Sequence, residues 1–279
     1  MHQIITVSRK VCEKMTNIFS MEGKNVVFTG GCGNLGSVMV KALLEYGASV
    51  AVLARADRLD ESYAPYRNSN KLVVIQTDLS RTDSTKTSFA AAAEAFGGID
   101  VLVNCAAYGG GAGGKNCEYR LELLSDETWK EGIDGTLNIT FRCTREVLPY
   151  FDRRGGGNIV NVASMYALIS PDFDIYGEKI PWNPPTYGAG KAGVVQFTRY
   201  CAAALAKKNI RVNSLTPGAF PKLGAATDQD FVQRLSNKIM LKRTGLPAEL
   251  NGALLLLCSD ASSFMTATNI VVDGGMTQW

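Results

Sequence analysis

Two residues past the middle of the chain have the types and spacing for proton transfer. Tyr187 and Lys191 stand at i and i+4 in the segment YGAGK, which has a helical pattern, so their side chains would share one face. A free tyrosine loses its proton only near pH ~10, and a neighbouring ammonium group would favour the phenolate. Ser164, just after a Val-rich run, could hydrogen-bond a substrate oxygen. These three side chains predict general acid–base chemistry with electrostatic support.

Histidine chemistry is excluded by composition. The chain has one histidine, His2, among 279 residues. A Ser-His-Asp triad, a histidine general base and a histidine-ligated metal site are therefore not expected. A Tyr-x-x-x-Lys pair taken alone is more often a surface pair, so the prediction depends on the elements that would position it.

Short Val-, Ile- and Leu-rich runs alternate with helical segments along the chain. Near-continuous apolar strands with helical crossovers predict an α/β fold: one Rossmann-type, doubly wound domain with seven parallel strands. Residues 1–19 are predicted to be an N-terminal extension and residues 20–279 the catalytic domain. The predicted strands are 24–30, 49–55, 71–79, 99–106, 157–164, 210–218 and 269–275. The predicted helices are 36–48, 84–96, 127–151, 187–208 and a segment around 247–258.

The stretch TGGCGNLG, residues 29–36, lies between the first strand and the first helix. Gly30 permits an unusual backbone turn, and Gly36 allows the helix to pack closely on the strand. The N–H groups at the start of the helix would face a pyrophosphate, so the stretch predicts nucleotide binding. Asn34 stands where such loops often have a middle glycine. Asparagine tolerates a left-handed φ, which would explain the substitution.

Charge, hydropathy and cysteine usage restrict the classes of partner and the cellular location that can be expected. The net charge is +3 with scattered basic residues, so no nucleic-acid partner is expected. No apolar run approaches the length of a membrane span. The seven cysteines include no CxxC pair, and no secretory leader is visible, so a reducing, cytoplasmic location is predicted.

Several motifs appear together in a specific order. The loop 29–36 fits the pattern TG-xxx-G-x-G, and it is followed by NCAA (104–107), Ser164, the YGAGK pair and NSLTPG (213–218). In this order they resemble the short-chain dehydrogenases/reductases over about residues 20–279. The stretches SMYALISPD and NIRVNSLTPGAFP also look like the gluconate 5-dehydrogenase and flagellin sugar-modification oxidoreductase branch.

This resemblance implies a nicotinamide cofactor. Ala54 stands where NAD-selecting members have an acid, and Arg55 follows it, so NADP(H) is favoured while NAD(H) stays possible. Asp57 is an alternative ribose ligand. The implied cofactor-binding residues are Gly30, Cys32, Gly33, Asn34, Leu35, Gly36, Arg55, Asp78, Leu79, Asn104, Ala106, Tyr187, Lys191, Pro217, Gly218 and Phe220.

The resemblance also implies a proton relay and an assembly. Family members commonly have an asparagine that bends the long helix before the fifth strand and binds a water leading to the lysine. Thr136 aligns with that asparagine and could hold the water through its hydroxyl, whereas Asn138 would lie on another face. Thr136 is therefore grouped with Ser164, Tyr187 and Lys191 as catalytic. A homotetramer or homodimer is implied.

The predicted reaction interconverts a secondary alcohol and a ketone of a small-molecule substrate by hydride transfer. Tyr187 comes 23 positions after Ser164, and the extra residues, 170–185, predict either a specificity loop or a surface excursion. Tyr166, Trp182 and Lys222 are predicted to contact a polar, hydroxylated substrate such as a sugar acid or sugar derivative. The alternatives are a hydrophobic ketone (a steroid or an acyl thioester) and a non-catalytic NADP(H)-sensing regulator.

Overall fold

The computed structural model describes most of the chain. Its described residues are 17–55, 61–66, 68–108, 120–177, 180–222, 224 and 228–279. Most of the predicted extension 1–19 and the alternative ribose ligand Asp57 lie outside them. Within these ranges, no helix is both long and apolar enough to cross a membrane.

Seven parallel strands form one sheet in the order β3-β2-β1-β4-β5-β6-β7, which confirms the predicted fold class. The chain builds outward from β1 to β3 and then places β4 on the other side of β1. Such a reversal opens a crevice at the carboxyl ends of the two strands. The strands are β1 (Asn25–Thr29), β2 (Ser49–Ala54), β3 (Leu72–Gln76), β4 (Val101–Asn104), β5 (Gly157–Val162), β6 (Ile210–Pro217) and β7 (Asn269–Val272).

Helices cover both faces of the sheet, because its strands are apolar on both sides. One core layer lies under α1 and α7 and includes Met39, Leu43 and Leu254; the other lies under α2, α4 and α5 and includes Phe89 and Val147. The helices are α1 (Asn34–Glu45), α2 (Thr82–Phe96), α3 (Asp126–Ile133), α4 (Ile139–Arg154), α5 (Pro185–Leu205), α6 (Gln229–Asn237) and α7 (Asn251–Cys258).

The predicted helix 127–151 is interrupted in the middle. A π-helical turn, Asp134–Asn138, joins α3 to α4. Inside it, the Thr136 hydroxyl donates to the carbonyl oxygens of Gly132 at 2.9 Å and Ile133 at 3.3 Å. The turn presses Thr136 against Gly190 of α5, where a Cβ atom would overlap the threonine hydroxyl. The bend is therefore packed directly against the helix that contains Tyr187 and Lys191.

The insertion 170–185 is attached to α6. Asp172 forms an ion pair with Lys238 at 2.6 Å, and Arg234 Nε donates to the carbonyl oxygen of Ile175 at 2.8 Å. The rings of Tyr176 and Phe231 are 5.8 Å apart. The segment contains a short 3-10 turn, Phe173–Ile175, and its last residue begins α5. These contacts give the insertion a defined position beside the sheet.

Replacing Gly190 by alanine should destabilise the fold. The new methyl group would overlap the Thr136 hydroxyl, and overpacking of this kind costs about 1–3 kcal/mol. The matched control is Gly252→Ala in α7, where a Cβ atom meets nothing within 4 Å. That change should be neutral or stabilise by about 0.5–1 kcal/mol, because alanine favours helix. Urea unfolding of both variants measures the difference, and equal midpoints would contradict the packing described.

Candidate active site

A cleft of about 530 Å³ opens at the carboxyl ends of the strands, at the reversal of strand order. It brings together most of the predicted cofactor residues, whereas Asn104, Pro217, Gly218, Tyr187 and Lys191 are not among its lining. The lining residues are Gly30, Cys32, Gly33, Asn34, Leu35, Gly36, Leu53, Ala54, Arg55, Thr77, Asp78, Leu79, Cys105, Ala106, Ala107, Tyr108, Ile139 and Phe220.

The first turn of the cleft requires glycine. Gly30 has a φ of +75°, and an added Cβ atom would lie 2.8 Å from the Cα atom of Ala106. Thr29 creates this close approach: its hydroxyl accepts the N–H groups of Cys105 at 3.0 Å and Ala106 at 3.1 Å. The loop after β1 is thus fastened to the end of β4, and the space beside it stays open.

Helix α1 begins at this loop with an uncapped end. Gly33 precedes it, no side chain caps it, and its first turn has no acidic residue. The N–H groups of this end are therefore available to an anion, which fits the pyrophosphate of a dinucleotide.

Asn34 does not have a left-handed φ, so the tolerance of asparagine for that conformation does not explain the substitution. Among the described residues other than glycine, a positive φ occurs only at Asn209, Lys242 and Ala267. Asn34 is the first residue of α1, and its side-chain amide is 3.5 Å from the carbonyl oxygen of Phe220 on the opposite rim. A glycine is not required here because the helix has already begun.

The far end of the cleft is charged. Asp78 follows β3, and hydrogen bonds from the hydroxyl and the N–H of Ser80 hold its pKa below the usual range. The guanidinium of Arg55 lies 4.8 Å from the centroid of the Tyr108 ring. Arg55 therefore lies in the cleft wall beside Tyr108.

Tyr108 is held by a charged pair that consists of Asp134 in the π turn and Arg142 in α4. Its hydroxyl donates to the carboxylate of Asp134, which also forms an ion pair with Arg142. Burial alone would raise the pKa of Asp134, but hydrogen bonds from Arg142, Tyr108 and Asn138 lower it overall. For Tyr108, burial and the neighbouring Asp134 raise the pKa to about 12. Asn138 faces this cluster, away from Gly190, as its different helical face predicts.

A chain of amides connects the two central strands to α5. Asn104 at the end of β4 donates to the Asn161 side chain at 2.9 Å, and Asn161 donates to the Thr198 hydroxyl at 2.9 Å. The buried amide oxygen of Asn104 has no partner among the described residues. An orphaned acceptor near the cleft fits a ligand with donor groups.

The three residues of the predicted proton machinery meet where β5 ends and α5 begins. Lys191 is 4% exposed, and its ammonium donates to the carbonyl oxygen of Val162 at 2.7 Å. The same nitrogen is 5.9 Å from the centroid of the half-buried Tyr187 ring. Buried Ser164 accepts the N–H of Tyr166 at 3.3 Å. Burial raises the pKa of Cys105 in the cleft to about 11, and the positive charge of Lys191 opposes that rise.

A second cavity, the insertion cavity, lies beside these residues and measures about 770 Å³. Two of the predicted substrate residues line it, Tyr166 and Trp182, whereas exposed Lys222 is not among the residues lining it. The Tyr166 hydroxyl shares a hydrogen bond with Tyr176 at 2.9 Å. The lining is Arg120, Leu121, Glu122, Tyr166, Ile169, Ser170, Pro171, Phe173, Trp182, Asn183, Pro184, Pro185 and Gly188.

Some functional residues had no usable signal in the sequence. Asp134 and Arg142 are eight positions apart, and they meet only because the π turn lies between them. Tyr108 directly follows the NCAA motif, and that position was the one clue to its place in the cleft. Asn183 was part of a polar composition, without a sign that it would be buried.

Comparison with known proteins identifies the family. A family model described as "Enoyl-(Acyl carrier protein) reductase" matches residues 32–277. A probable galactose dehydrogenase of Rhizobium meliloti is 30% identical over 264 residues, which cover 92% of this chain and 96% of the relative. The chain belongs to the short-chain dehydrogenases/reductases. It is an NAD(P)-dependent dehydrogenase or reductase acting on CH–OH groups.

Two solved structures, one with bound NAD+ and one of an NADPH-dependent enzyme, superimpose on this chain. One is a short-chain dehydrogenase from Leptospira borgpetersenii with bound NAD+, with a TM-score of 0.79, 29% identity, and coverage of 99% of this chain and 98% of the other. Another is an NADPH-dependent 3-quinuclidinone reductase from Rhodotorula rubra, with a TM-score of 0.78, 30% identity, and coverage of 99% and 97%. The family therefore leaves the choice between NAD and NADP open.

Replacing Asp134 by asparagine should reduce stability in a pH-dependent way. A lowered carboxyl pKa stabilises the fold above the unfolded-state pKa, and this contribution disappears as pH falls through the folded-state pKa. At pH 7 the variant should lose on the order of 1 kcal/mol, and this deficit should shrink below about pH 4. Thermal unfolding between pH 7 and pH 3 measures it, with Asp230→Asn on exposed α6 as the control. A deficit of constant size across this range would contradict the arrangement.

Proposed function

We propose that the protein interconverts a secondary alcohol and a ketone, with Tyr187 as acid and base, Ser164 as the group that orients the substrate oxygen, and Lys191 as electrostatic support. The observation that carries this proposal is the buried ammonium of Lys191, which lies 5.9 Å from the Tyr187 ring centroid. A buried positive charge favours the phenolate form of a neighbouring tyrosine.

Each residue has one task in the proposed reaction. In reduction, the Tyr187 hydroxyl donates its proton to the ketone oxygen; in oxidation, the phenolate accepts the proton of the alcohol. Ser164 donates a hydrogen bond to the same oxygen and stabilises charge that develops there. The nicotinamide, when bound, supplies or accepts the hydride. Lys191 holds the phenolate and the ribose hydroxyls by its remaining donors.

Thr136 is proposed to be a positioning residue. Its hydroxyl proton is used by the carbonyl oxygens of Gly132 and Ile133, which leaves the oxygen available as an acceptor. Its contact with Gly190 places the π turn against the residue that directly precedes Lys191. The bend that family members obtain with asparagine is thus supported here by a threonine.

Replacing Tyr187 by phenylalanine should lower kcat by about 10²–10⁴-fold, because the proton donor is lost. Cofactor affinity should remain, since the cleft is unchanged. Tyr200→Phe is the matched control, because Tyr200 lies on the same helix and is 69% exposed. Steady-state turnover and fluorescence titration with NADPH measure the two properties.

The same variant separates an enzyme from a regulator. A non-catalytic NADP(H) sensor would keep its function in Tyr187→Phe, whereas the proposed enzyme loses turnover. Undiminished turnover in the variant would therefore refute the role of Tyr187.

NADP(H) is the proposed cofactor. The support is Arg55, which follows Ala54 at the end of β2, lines the cleft and stacks over Tyr108 at 4.8 Å. A guanidinium in this position pairs well with a 2′-phosphate, and Ala54 stands where NAD-selecting members have an acid. NAD(H) is the alternative.

Replacing Arg55 by alanine should raise the KM for NADPH by about 10–100-fold and leave the KM for NADH nearly unchanged, since a charged hydrogen bond contributes about 1.5–3 kcal/mol. Arg81→Ala is the control, because Arg81 is exposed and does not line the cleft. The ratio of kcat/KM for the two cofactors is the measurement. Equal effects on both cofactors would argue against the NADP(H) assignment.

The substrate proposed from the sequence is a polar one, such as a sugar acid or sugar derivative, and the galactose dehydrogenase relative supports it. A hydrophobic ketone is the second candidate, favoured by the insertion cavity. Two polar groups in and beside the insertion cavity are used within the protein: the Tyr166 hydroxyl bonds Tyr176, and Asp172 pairs with Lys238.

We also propose that the protein forms a homodimer or homotetramer. Its proposed location is the cytoplasm, a reducing compartment. Exposed aromatic side chains on the two long helices, Phe141 at 44% and Tyr200 at 69%, support helix-mediated association. Among the described residues, Cys143 and Cys258 are buried free cysteines, and burial raises the pKa of each thiol. Inert buried thiols fit a reducing environment.

A further inference from the structure

The walls of the insertion cavity are held by contacts within the protein. Two contacts hold the insertion to α6, the ion pair between Asp172 and Lys238 and the bond from Arg234 to the Ile175 carbonyl oxygen. The rings of Phe173 and Trp182 lie against each other with centroids 4.4 Å apart. Preformed pockets of about 300–1,000 Å³ are typical small-molecule sites.

Most of the cavity wall is apolar. Besides the aromatic pair it contains Leu121, Ile169 and three prolines, and its charged members, Arg120 and Glu122, belong to an exposed turn. Such a wall stabilises a ligand by burying carbon surface, at about 25 cal/mol per Å². It offers few partners for the many hydroxyl groups of a sugar, each of which would lose hydrogen bonds to water on entry.

The cavity adjoins the proposed proton donor. Tyr166, one of its lining residues, donates its N–H to Ser164, and Gly188, another, directly follows Tyr187. A Cβ atom on Gly188 would be 3.1 Å from the Tyr166 carbonyl oxygen, so these two walls are in contact. Ser164 and Tyr187 are not among the lining residues themselves, but the cavity lies next to them in the chain, at Tyr166 and Gly188.

One polar group in the cavity wall lacks a partner. Asn183 is 6% exposed, lines the cavity, and its amide oxygen has no hydrogen-bond partner among the described residues. A buried acceptor without a donor costs about 1–3 kcal/mol. Asn183 lies in the insertion, four positions before Tyr187, and is not one of the proposed reacting groups.

We propose that the insertion cavity binds a ketone or alcohol with a rigid apolar ring body, and that Asn183 accepts a hydrogen bond from a hydroxyl or N–H group on that body, away from the reacting carbon. This inference rests on the proposed function, since Tyr187 and Ser164 define the reacting end. It makes Asn183 a specificity-determining residue.

The test compares ketones that differ by one distal hydroxyl. The full-length chain is assayed with NADPH on cyclohexanone and 4-hydroxycyclohexanone, on dihydrotestosterone and its 17-deoxy analogue, and on 5-ketogluconate. In the better of the two matched pairs, the hydroxylated ketone should have a kcat/KM about 10-fold or more above its deoxy partner. Asn183→Leu should reduce this ratio to about 1, while the deoxy ketone is little affected.

Two controls accompany this variant. Asn183→Asp keeps acceptor oxygens and should keep the preference for the hydroxylated ketone. Asn251→Leu removes another buried amide oxygen without a partner among the described residues, but on α7, outside the cavity, so the ratio should not change. Thermal unfolding confirms that each variant is folded. A preference that persists in Asn183→Leu, or equal kcat/KM within both wild-type pairs, overturns the inference.

The outcomes also separate this inference from the proposed function. If only 5-ketogluconate is reduced, the proposed alcohol–ketone reaction stands, but the inference that the cavity binds an apolar ring body is overturned. If no ketone is reduced, the proposed reaction is overturned. The binding site is then tested by the thermal shift of the wild-type protein with each ketone pair. A larger shift with the hydroxylated ketone, lost in Asn183→Leu, supports the binding site; equal shifts overturn it.

Discussion

The site depends on one buried charge, the ammonium of Lys191. It is 4% exposed, and among the described residues it makes a single hydrogen bond, to the Val162 carbonyl oxygen at 2.7 Å. Removing an ammonium from water costs several kcal/mol unless other groups replace the lost hydration. Two of its donors remain for acceptors that arrive from outside the protein or for the phenolate of Tyr187. The hydrogen-bonding capacity of the ammonium is therefore fully used only when these acceptors are present.

The surrounding structure keeps that charge in place. The amide chain from Asn104 through Asn161 to Thr198 fixes β4, β5 and α5 relative to one another. On the opposite side, the π turn packs Thr136 against Gly190, directly before the lysine. Lys191 is thus held from β5 and packed against the π turn.

The fold could be predicted because its signals are local. Buried parallel strands have continuous apolar runs, and Gly30 follows one of them where a turn admits no side chain. The π turn could not be predicted, because it depends on where the Thr136 hydroxyl finds carbonyl oxygens. The insertion cavity could not be predicted either. It depends on pairing between side chains far apart in the sequence, such as Asp172 and Lys238.

The attachment of the insertion to α6 has a consequence for transplanting specificity between relatives. The cavity wall is not a free-standing loop, since Arg234 and Lys238 hold it from a helix that lies after β6. Moving residues 170–185 alone into another scaffold would leave Asp172 and the Ile175 carbonyl oxygen without their partners. The exchangeable unit is therefore discontinuous in sequence, and a chimera must take α6 together with the insertion.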